Sequence, residues 1–169
     1  GKTGATSVTY DTTYRIAVTY VESGAAASSN LTIGKLRRAR FLLDSNEAVM
    51  DGEALTIVVS ASQVQSLLRT TEVTSSDYNG VKALVNGEVD TFLGFRFIRT
   101  QLLAKSGDNR TCLAYPASAI KLGVGEDIKV RIAERADKNH SIQVYAEAIF
   151  GATRMWEEKV IEILCDETK

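Results

Sequence analysis

The sequence contains few residues whose type and spacing suit catalysis. Its one histidine, His140, lies in a predicted turn, with no second histidine or cysteine at the spacing of a metal site. Cys112 and Cys165 belong to no CxxC pair, which indicates two reduced, partly buried thiols rather than a metal site or a disulfide framework. A surface position is therefore favoured for His140 over a role as catalytic base.

Two short glycine motifs are similar to phosphate-binding loops, but both are incomplete. Gly1-Lys2-Thr3 lacks the upstream glycine and the preceding strand of such a loop. Gly123-x-Gly125 is followed by Glu126 and Asp127, whose negative charges would repel phosphate, and no third glycine completes a dinucleotide-binding motif. The sequence therefore predicts neither a nucleotide site nor a cofactor.

Adjacent acidic residues occur at Glu126 and Asp127 and again at Glu157 and Glu158, and paired carboxylates can serve as acid and base. Neighbouring residues of a strand point to opposite faces, however, so neither pair is placed to share one substrate. No G-x-S-x-G elbow occurs among the serines. An esterase-like or nucleotide-dependent enzyme would need a nucleophile and a base that this sequence does not offer, so we predict a non-enzymatic protein.

Length and composition describe an ordinary folded chain. With 169 residues, 44% of them hydrophobic, the chain is long enough for one domain or for two small lobes that share a core. Its 20 basic and 21 acidic residues give a net charge of −1, which provides no global reason to expect nucleic-acid binding. No apolar run approaches the roughly 18 residues that span a bilayer, so a membrane partner is not expected either.

The stretch from Ala54 to Thr100 alternates strand, helix, loop, helix and strand, and the rest of the fold is expected to pack around it. The spacing Ser60-x-x-Gln63 fits a capping box at the start of the first helix. The residues of the whole stretch are mostly apolar or suited to capping helices, which is typical of a segment that forms a packed core and not an active site. The predicted elements are a strand at Leu55–Val59 covered on both faces, helices at Ser62–Arg69 and Tyr78–Val85, the second capped by Asp77, and a strand at Phe92–Ile98, in which Gly94 permits a bulge or a close contact.

Before this core, the sequence predicts a strand over Tyr14–Tyr20 and a helix from its cap at Thr32 to about Leu43. The helix carries a basic cluster of Lys35, Arg37, Arg38 and Arg40. A solvated helix face is the plainest interpretation. A contact surface for acidic groups of a neighbouring subunit is the second. Nucleic acid comes third, because no aromatic residues interleave with the cluster to stack on bases.

Beyond the core, long alternating strands replace the mixed pattern. Gly123-Val124-Gly125 predicts a turn, Ile128–Ile132 and Ile142–Phe150 predict strands around a turn at Ala136–Asn139, and Met155–Cys165 continues this antiparallel unit. We therefore predict an α+β protein with a boundary near Gly125. Its expected parts are an N-terminal strand segment (1–23), a mixed sheet flanked by helices (24–125) and a lobe of antiparallel strands (126–169).

Four stretches together carry a family resemblance: LTIGKLRRARFLLDSN, TTEVTSSDYNGVKALVNGEVDTFLGFRFIRT, GVGEDIKVRIAERADK and YAEAIFGATRMWEEKVIEILCDE. In this order they resemble the major capsid proteins of tailed bacteriophages, which have the Hong Kong 97-like fold. The resemblance runs from about Val18 to Glu167. It rests on the ordered series, since no single stretch is a motif by itself.

The resemblance implies a structural protein of the icosahedral head shell. The lobe 24–125 would be the axial domain, whose tips meet at the centres of pentamers and hexamers, and the later strands would enter the peripheral domain. Its partners would be other copies of itself, with double-stranded DNA only as enclosed cargo and with no membrane or small-molecule substrate. Its location would be the virion capsid, and the bacterial host cytoplasm during assembly. Charge then suggests five subunit-contact residues: Arg37, Arg38, Arg40, Glu157 and Glu158.

The resemblance departs from the family at the N-terminus. A complete subunit of this type would place an N-terminal arm, an extended loop and a long spine helix before the region that Gly1 begins. This implies either an excised fragment or a natural short version, so no cross-link of the extended loop is carried over. Without that helix, the β unit is expected to expose an apolar face and to self-associate or repack. The alternative hypothesis is a small α+β ligand-binding module that shares only the fold.

Overall fold

The structure, a computed structural model, describes residues 10–49, 52–69 and 91–169. The chain divides into two compact units. The first unit comprises Gly1–Ala119 and Trp156–Lys169, and the second unit is Ile120–Met155. The predicted helix at Tyr78–Val85 and its cap Asp77 lie outside the described residues. No helix among the described residues is long and apolar enough to cross a membrane.

Nine strands are described, seven in the first unit and two in the second. The sheet of the first unit has the order β1-β9-β6-β2-β4-β3, with β5 paired to β6. It is a mixed sheet, because β2 and β4 run parallel, as do β1 and β9, whereas β6 is antiparallel to both β2 and β9. The strands are β1 (Arg15–Ile16), β2 (Leu55–Val59), β3 (Thr91–Phe92), β4 (Phe95–Arg99), β5 (Lys105–Ser106), β6 (Asn109–Pro116), β7 (Ile120–Arg135), β8 (Ser141–Arg154) and β9 (Ile161–Asp166).

Both described helices begin at the caps that the sequence predicts. Helix α1 spans Ile33–Ser45, and the side chain of its cap Thr32 accepts a hydrogen bond from the backbone N–H of Lys35 at 3.3 Å. Helix α2 spans Ala61–Arg69, and the side chain of Gln63 reaches back to accept from the N–H of Ser60 at 3.0 Å. This half of the predicted capping box is confirmed. The hydroxyl of Ser60 donates to the same side-chain oxygen of Gln63, whereas the prediction has it accept from a helix N–H.

The core of the first unit lies on one face of its sheet. Alternate residues of β2, β4, β6 and β9 are buried there, together with the apolar stripe of α1. The opposite face is only partly covered, since Thr56 and Val58 of β2 are half-buried. The expectation that β2 is fully covered on both faces is therefore wrong. A mixed sheet whose strands alternate buried and half-buried residues is typical of α+β folds.

The second unit is a long hairpin of β7 and β8 in which almost every residue is exposed. Its turn is a short 3-10 helix at Ala136–Lys138, and Asn139 and His140 follow in left-handed conformations. This confirms the predicted strands and the turn between them. Gly123 and Gly125, predicted as a turn, lie inside β7 instead, where the register shifts between Val124 and Glu126. A glycine within a strand permits such a bulge without ending the strand.

Three other strand predictions differ from the structure. The strand expected over Tyr14–Tyr20 is only β1, because the chain turns where the N–H of Tyr20 donates to the carbonyl of Ala17. The strand expected over Phe92–Ile98 is a hairpin of β3 and β4, whose two-residue turn contains Gly94. The C-terminal segment was expected to join the antiparallel lobe, yet β9 pairs with β1 and β6 in the sheet of the first unit.

Candidate subunit-contact surfaces

Two of the three predicted contact arginines form ion pairs within the chain. Arg37 Nη1 lies 3.0 Å from Glu22 Oε2, and Arg40 Nε lies 2.8 Å from Asp44 Oδ2 one helical turn later. All four side chains are two-fifths to one-half exposed. Exposed pairs of this kind are worth about 0–1 kcal/mol. The basic face of α1 is therefore held in place only weakly, and its charges remain accessible to another molecule.

Beside these arginines lies a groove that the sequence did not predict. Phe41 is 58% exposed, and the guanidinium of Arg38 lies 5.2 Å from the centre of its ring. The neighbouring wall is the β3–β4 turn, in which Leu93 (φ 51°) and Gly94 (φ 80°) are both left-handed. The groove encloses about 310 Å³ and is lined by Arg37, Arg40, Phe41, Asp44 and Leu93.

The β3–β4 turn and helix α1 approach each other closely at Gly94. A Cβ at this position would lie 2.7 Å from Nη1 of Arg40, which is closer than side-chain atoms approach one another. Glycine therefore allows both the positive φ and the close approach of the guanidinium. As a result, the exposed side chain of Leu93 is presented next to Phe41. Aromatic and arginine side chains around an apolar centre are typical of protein–protein contact surfaces.

The two predicted contact glutamates lie in the segment just before β9. Glu157 Oε1 accepts a hydrogen bond from the backbone N–H of Asp11 at 2.9 Å. The carbonyl of Glu158 accepts from Nδ2 of Asn46, at the C-terminal end of α1, at 3.4 Å. Both residues therefore lie near the end of the helix that also carries the basic cluster. The exposed side chain of Glu158 is available for a contact outside the chain.

Lys35 does not belong to the exposed basic cluster that the sequence predicts on α1, because its side chain is completely buried. Its ammonium Nζ donates to three backbone carbonyls, those of Val18 at 3.1 Å, Ser29 at 2.7 Å and Leu164 at 2.9 Å. Burial lowers the pKa of Lys35 below its usual value. One signal was present in the sequence: Lys35 lies four residues before the buried Ala39, at the edge of the apolar stripe. Its role is to join three separate segments of the first unit.

A second charged cluster surrounds Glu167, the residue that follows β9. Its carboxylate pairs with Arg110 at 2.5 Å and with Lys105 at 2.7 Å, and it also lies 3.4 Å from Nε2 of Gln63 and 3.3 Å from Oγ of Ser60. Hydrogen bonds from Arg110 and Lys105 lower the pKa of Glu167 to about 2. The cluster ties the start of α2 to β5, β6 and the C-terminal segment.

The chemistry-bearing residues of the sequence are not assembled into a reactive site. Cys112 and Cys165 are free thiols and both are fully buried. The Cys165 thiol and burial raise the pKa of Cys112 far above its usual value, which keeps it protonated and unreactive. His140 is exposed in the hairpin turn, 2.8 Å from Glu134. In the described part of the chain, no group of three or more metal-ligating side chains could hold an ion.

The largest exposed feature of the second unit is what we call the hairpin apolar face. Directly opposed residues of β7 and β8 share a face, as Ile132 and Val144 do, and Val130 and Ala146. Seven large apolar side chains lie on this face, each between 54% and 75% exposed: Leu122, Val124, Val130, Ile132, Ile142, Val144 and Phe150. Glu134 opposes Ile142 at the far end of the face. The exposed apolar face that the sequence predicts for the β unit is therefore present.

Comparison with known protein families identifies the chain. The model of the family described as phage capsid protein matches residues 1–167. The chain belongs to this family of phage capsid proteins. The resemblance found in the sequence is thereby confirmed. Comparison with curated proteins gave no match.

Solved structures from phages and from an encapsulin share the fold at low sequence identity. The capsid protein of Ralstonia phage GP4 matches with a TM-score of 0.68 at 13% identity, over 94% of this chain and 53% of that one. A structure from Mycobacterium phage Che8 matches with a TM-score of 0.60 at 20% identity, over 79% and 47%. The SrpI encapsulin of Synechococcus elongatus matches with a TM-score of 0.54 at 10% identity, over 83% and 52%.

These similarities confirm the predicted α+β fold with its mixed sheet, and its Hong Kong 97-like type. The chain spans about half the length of the solved structures that it matches. Family and fold identify a structural protein, and nothing in them favours the alternative of a ligand-binding module.

Proposed function

We propose that this chain is a structural subunit of the icosahedral head shell of a tailed phage and that it acts through contacts with other copies of itself. The observation that carries the proposal is the match to the phage capsid protein family over residues 1–167. The hairpin apolar face gives independent support, because contiguous apolar surfaces of this extent mark interaction sites. No step of this function requires a catalytic group or a cofactor.

The two units would have different tasks in such a shell. The first unit would act as the axial domain and surround the centre of a pentamer or hexamer, and the second unit would act as part of the peripheral domain and join neighbouring rings. We assign the contacts of the first unit to Arg37, Arg38 and Arg40 on one subunit and to Glu157 and Glu158 on another. The weak, exposed ion pairs of the arginines support this assignment, since such pairs are easily exchanged for carboxylates of a neighbour.

The remaining partners follow from a shell role. Double-stranded DNA would be enclosed cargo, because the net charge of −1 gives the chain no general attraction for phosphate. The subunit would reside in the virion capsid after assembling in the cytoplasm of the bacterial host. We propose no membrane partner and no small-molecule substrate.

The test is the mass of the chain in solution, measured by sedimentation across a concentration series. We expect the mass to rise with concentration toward pentamers or hexamers, which electron microscopy should show as rings. The variant Arg38→Glu should weaken ring formation, whereas Arg131→Glu, a matched charge reversal on the hairpin's polar face, should not. A chain that forms no rings at any concentration, or in which both variants behave alike, would contradict the proposed contacts.

A further inference from the structure

Two exposed features of the first unit complement each other in shape and in charge. One is the groove beside α1, which encloses about 310 Å³ and has Phe41 and Leu93 as its apolar walls. The other is Trp156, the one tryptophan of the chain, which is 55% exposed in the segment before β9. Tryptophan is enriched among the side chains that contribute most to protein–protein contacts. The two features are therefore candidates for the two halves of one contact.

The wall of the groove at Leu93 is apolar although the backbone there favours another residue type. Leu93 (φ 51°) and Gly94 (φ 80°) are the central residues of a hairpin turn between Phe92 and Phe95. A two-residue turn with positive φ at both positions prefers asparagine followed by glycine. Leucine at a positive φ is strained, and strained residues are concentrated at binding surfaces. Leu93 therefore fits a role in contact better than a role in forming the turn.

The groove and Trp156 lie on different sides of the first unit. The groove uses the side of α1 that carries Asp44, whereas Asn46, about 200° further around the helix axis, binds the carbonyl of Glu158. In the sheet order β1-β9-β6-β2-β4-β3, the β3–β4 turn lies at one edge and the segment before β9 lies near the other. A contact between them therefore joins two copies through different surfaces, and such contacts generate rings when the rotation closes.

We propose that Trp156 of one copy occupies the groove of a second copy. This inference rests on the proposed function and deepens it, because it names the side chain around which the charged contacts form. A closed cavity of about 150 Å³ holds a benzene ring, so a groove of about 310 Å³ has room for the two fused rings of an indole. The indole packs against Phe41 and Leu93. The arginines that line the groove also attract the face of an aromatic ring.

Charge agrees with a second copy as the occupant. The three arginines at the groove outnumber the two acids paired with them, so its surroundings are positive. Glu158, two residues after Trp156, is exposed, whereas the nearby basic residues Arg154 and Lys159 are half-buried. A carboxylate therefore accompanies the tryptophan toward a positive surface, and this charge pairing fixes the register of the contact.

The fluorescence of Trp156 tests the proposal without any substitution, because the chain has no other tryptophan. As the concentration rises through the association measured by sedimentation, the emission should shift to shorter wavelength and acrylamide should quench it less. Rings that form without this shift would leave the shell role standing and reject the seat of Trp156. The shift in a complex that stops at two copies would support the seat and contradict the predicted rings. A chain that stays monomeric would overturn both.

Substitutions on the two sides of the contact separate association from folding. Trp156→Ala should weaken association by about 30-fold or more, whereas Tyr145→Ala, which removes a similarly exposed aromatic side chain from the hairpin, should change it by less than about threefold. Equal association of these two variants would overturn the proposal. Leu93→Asn should weaken association by about tenfold and yet raise the urea midpoint of unfolding or leave it unchanged, because the turn prefers asparagine. A lower midpoint with unchanged association would assign Leu93 to the fold and reject its part in the contact.

Cross-linking identifies the surfaces that meet. The native thiols Cys112 and Cys165 are fully buried, so new surface thiols can be joined selectively. Chains with Asp44→Cys, mixed with chains that carry Glu158→Cys, should give a covalent mixed pair with a short thiol-to-thiol cross-linker. Neither variant alone should give a pair. Pairs formed by a single variant, or no mixed pair at concentrations where the chains associate, would reject the seat of Trp156 in the groove.

Discussion

Glu167 should make the first unit sensitive to acid, and the structure gives the size of the effect. Its carboxylate is held by Arg110 and Lys105 at 2.5 Å and 2.7 Å, and its side chain is only 13% exposed. These hydrogen bonds lower its pKa from 4.5 to about 2. At about 1.4 kcal/mol for each tenfold change in proton affinity, this corresponds to about 3 kcal/mol of folding free energy.

Whether acid raises or lowers the stability depends on which state of the chain, folded or unfolded, binds the proton of Glu167 more tightly. The unfolded chain takes up a proton on Glu167 near pH 4.5, whereas the folded chain does so only near pH 2. The contribution is therefore complete above the unfolded pKa and is lost as the pH falls toward 2. About 2 kcal/mol of it should be gone at pH 3. Other carboxylates also titrate in this range, so the effect of Glu167 must be obtained as a difference between two proteins.

The assay is urea unfolding followed by circular dichroism, at pH 7 and pH 3, of the unaltered chain and of Glu167→Gln. At pH 7 the substitution should lower the free energy of unfolding by about 3 kcal/mol, and at pH 3 by only about 1 kcal/mol. Glu22→Gln removes the exposed partner of Arg37 and should cost less than about 1 kcal/mol at pH 7. If Glu167→Gln loses as much stability between pH 7 and pH 3 as the unaltered chain, the assigned role of this carboxylate is wrong.

Two further substitutions test features of the first unit by urea unfolding. Lys35→Met should destabilise the chain by about 2 kcal/mol, because three backbone carbonyls lose the bond from the ammonium, although those of Val18 and Ser29 keep a backbone donor. An unchanged midpoint would show that burial of the charge costs as much as its hydrogen bonds contribute. Gly94→Ala should cost about 1–2 kcal/mol, mainly because its φ is +80°, since the guanidinium of Arg40 lies at the end of a flexible side chain and can move away from the new Cβ. Adding Arg40→Ala should therefore leave the cost of Gly94→Ala nearly unchanged, and a clear reduction of that cost would show that the Arg40 contact is rigid.

The sequence predicts well those features of this fold that depend on neighbouring residues. The cap at Thr32, the bond from the N–H of Ser60 to the side chain of Gln63 and the turn at Ala136–Asn139 are all local patterns, and all are observed. Strand pairing depends on residues far apart in the chain, and for this reason β9 was expected in the wrong sheet. Gly94 shows the same limit, because a glycine between two apolar runs fits a bulge as well as a hairpin turn.

For the contact surfaces, residue type and charge were enough to identify candidate subunit-contact residues, but they did not predict what surrounds those residues in the fold. Arg37, Arg38 and Arg40 do lie on the accessible face of α1, whereas Lys35 is buried although its charge is the same. Lys35 is buried because carbonyls from distant segments of the chain accept its hydrogen bonds. The helical periodicity of α1 carries no information about those segments. The groove beside Phe41 was missed for a similar reason, since its second wall comes from the β3–β4 turn.

The pairing of β1 with β9 sets the order in which the protein can fold during its synthesis. Arg15 opposes Glu162, so the first and last described strands are neighbours although the whole hairpin is translated between them. The strands of the hairpin pair only with each other and leave the ribosome before β9, whereas the sheet of the first unit must wait for β9. Until then, β6 lacks its partner on one edge and Lys35 lacks the carbonyl of Leu164. The hairpin is thus translated before the sheet of the first unit can be completed, so a newly made chain exposes the apolar side chains of β7 and β8 before it is fully folded.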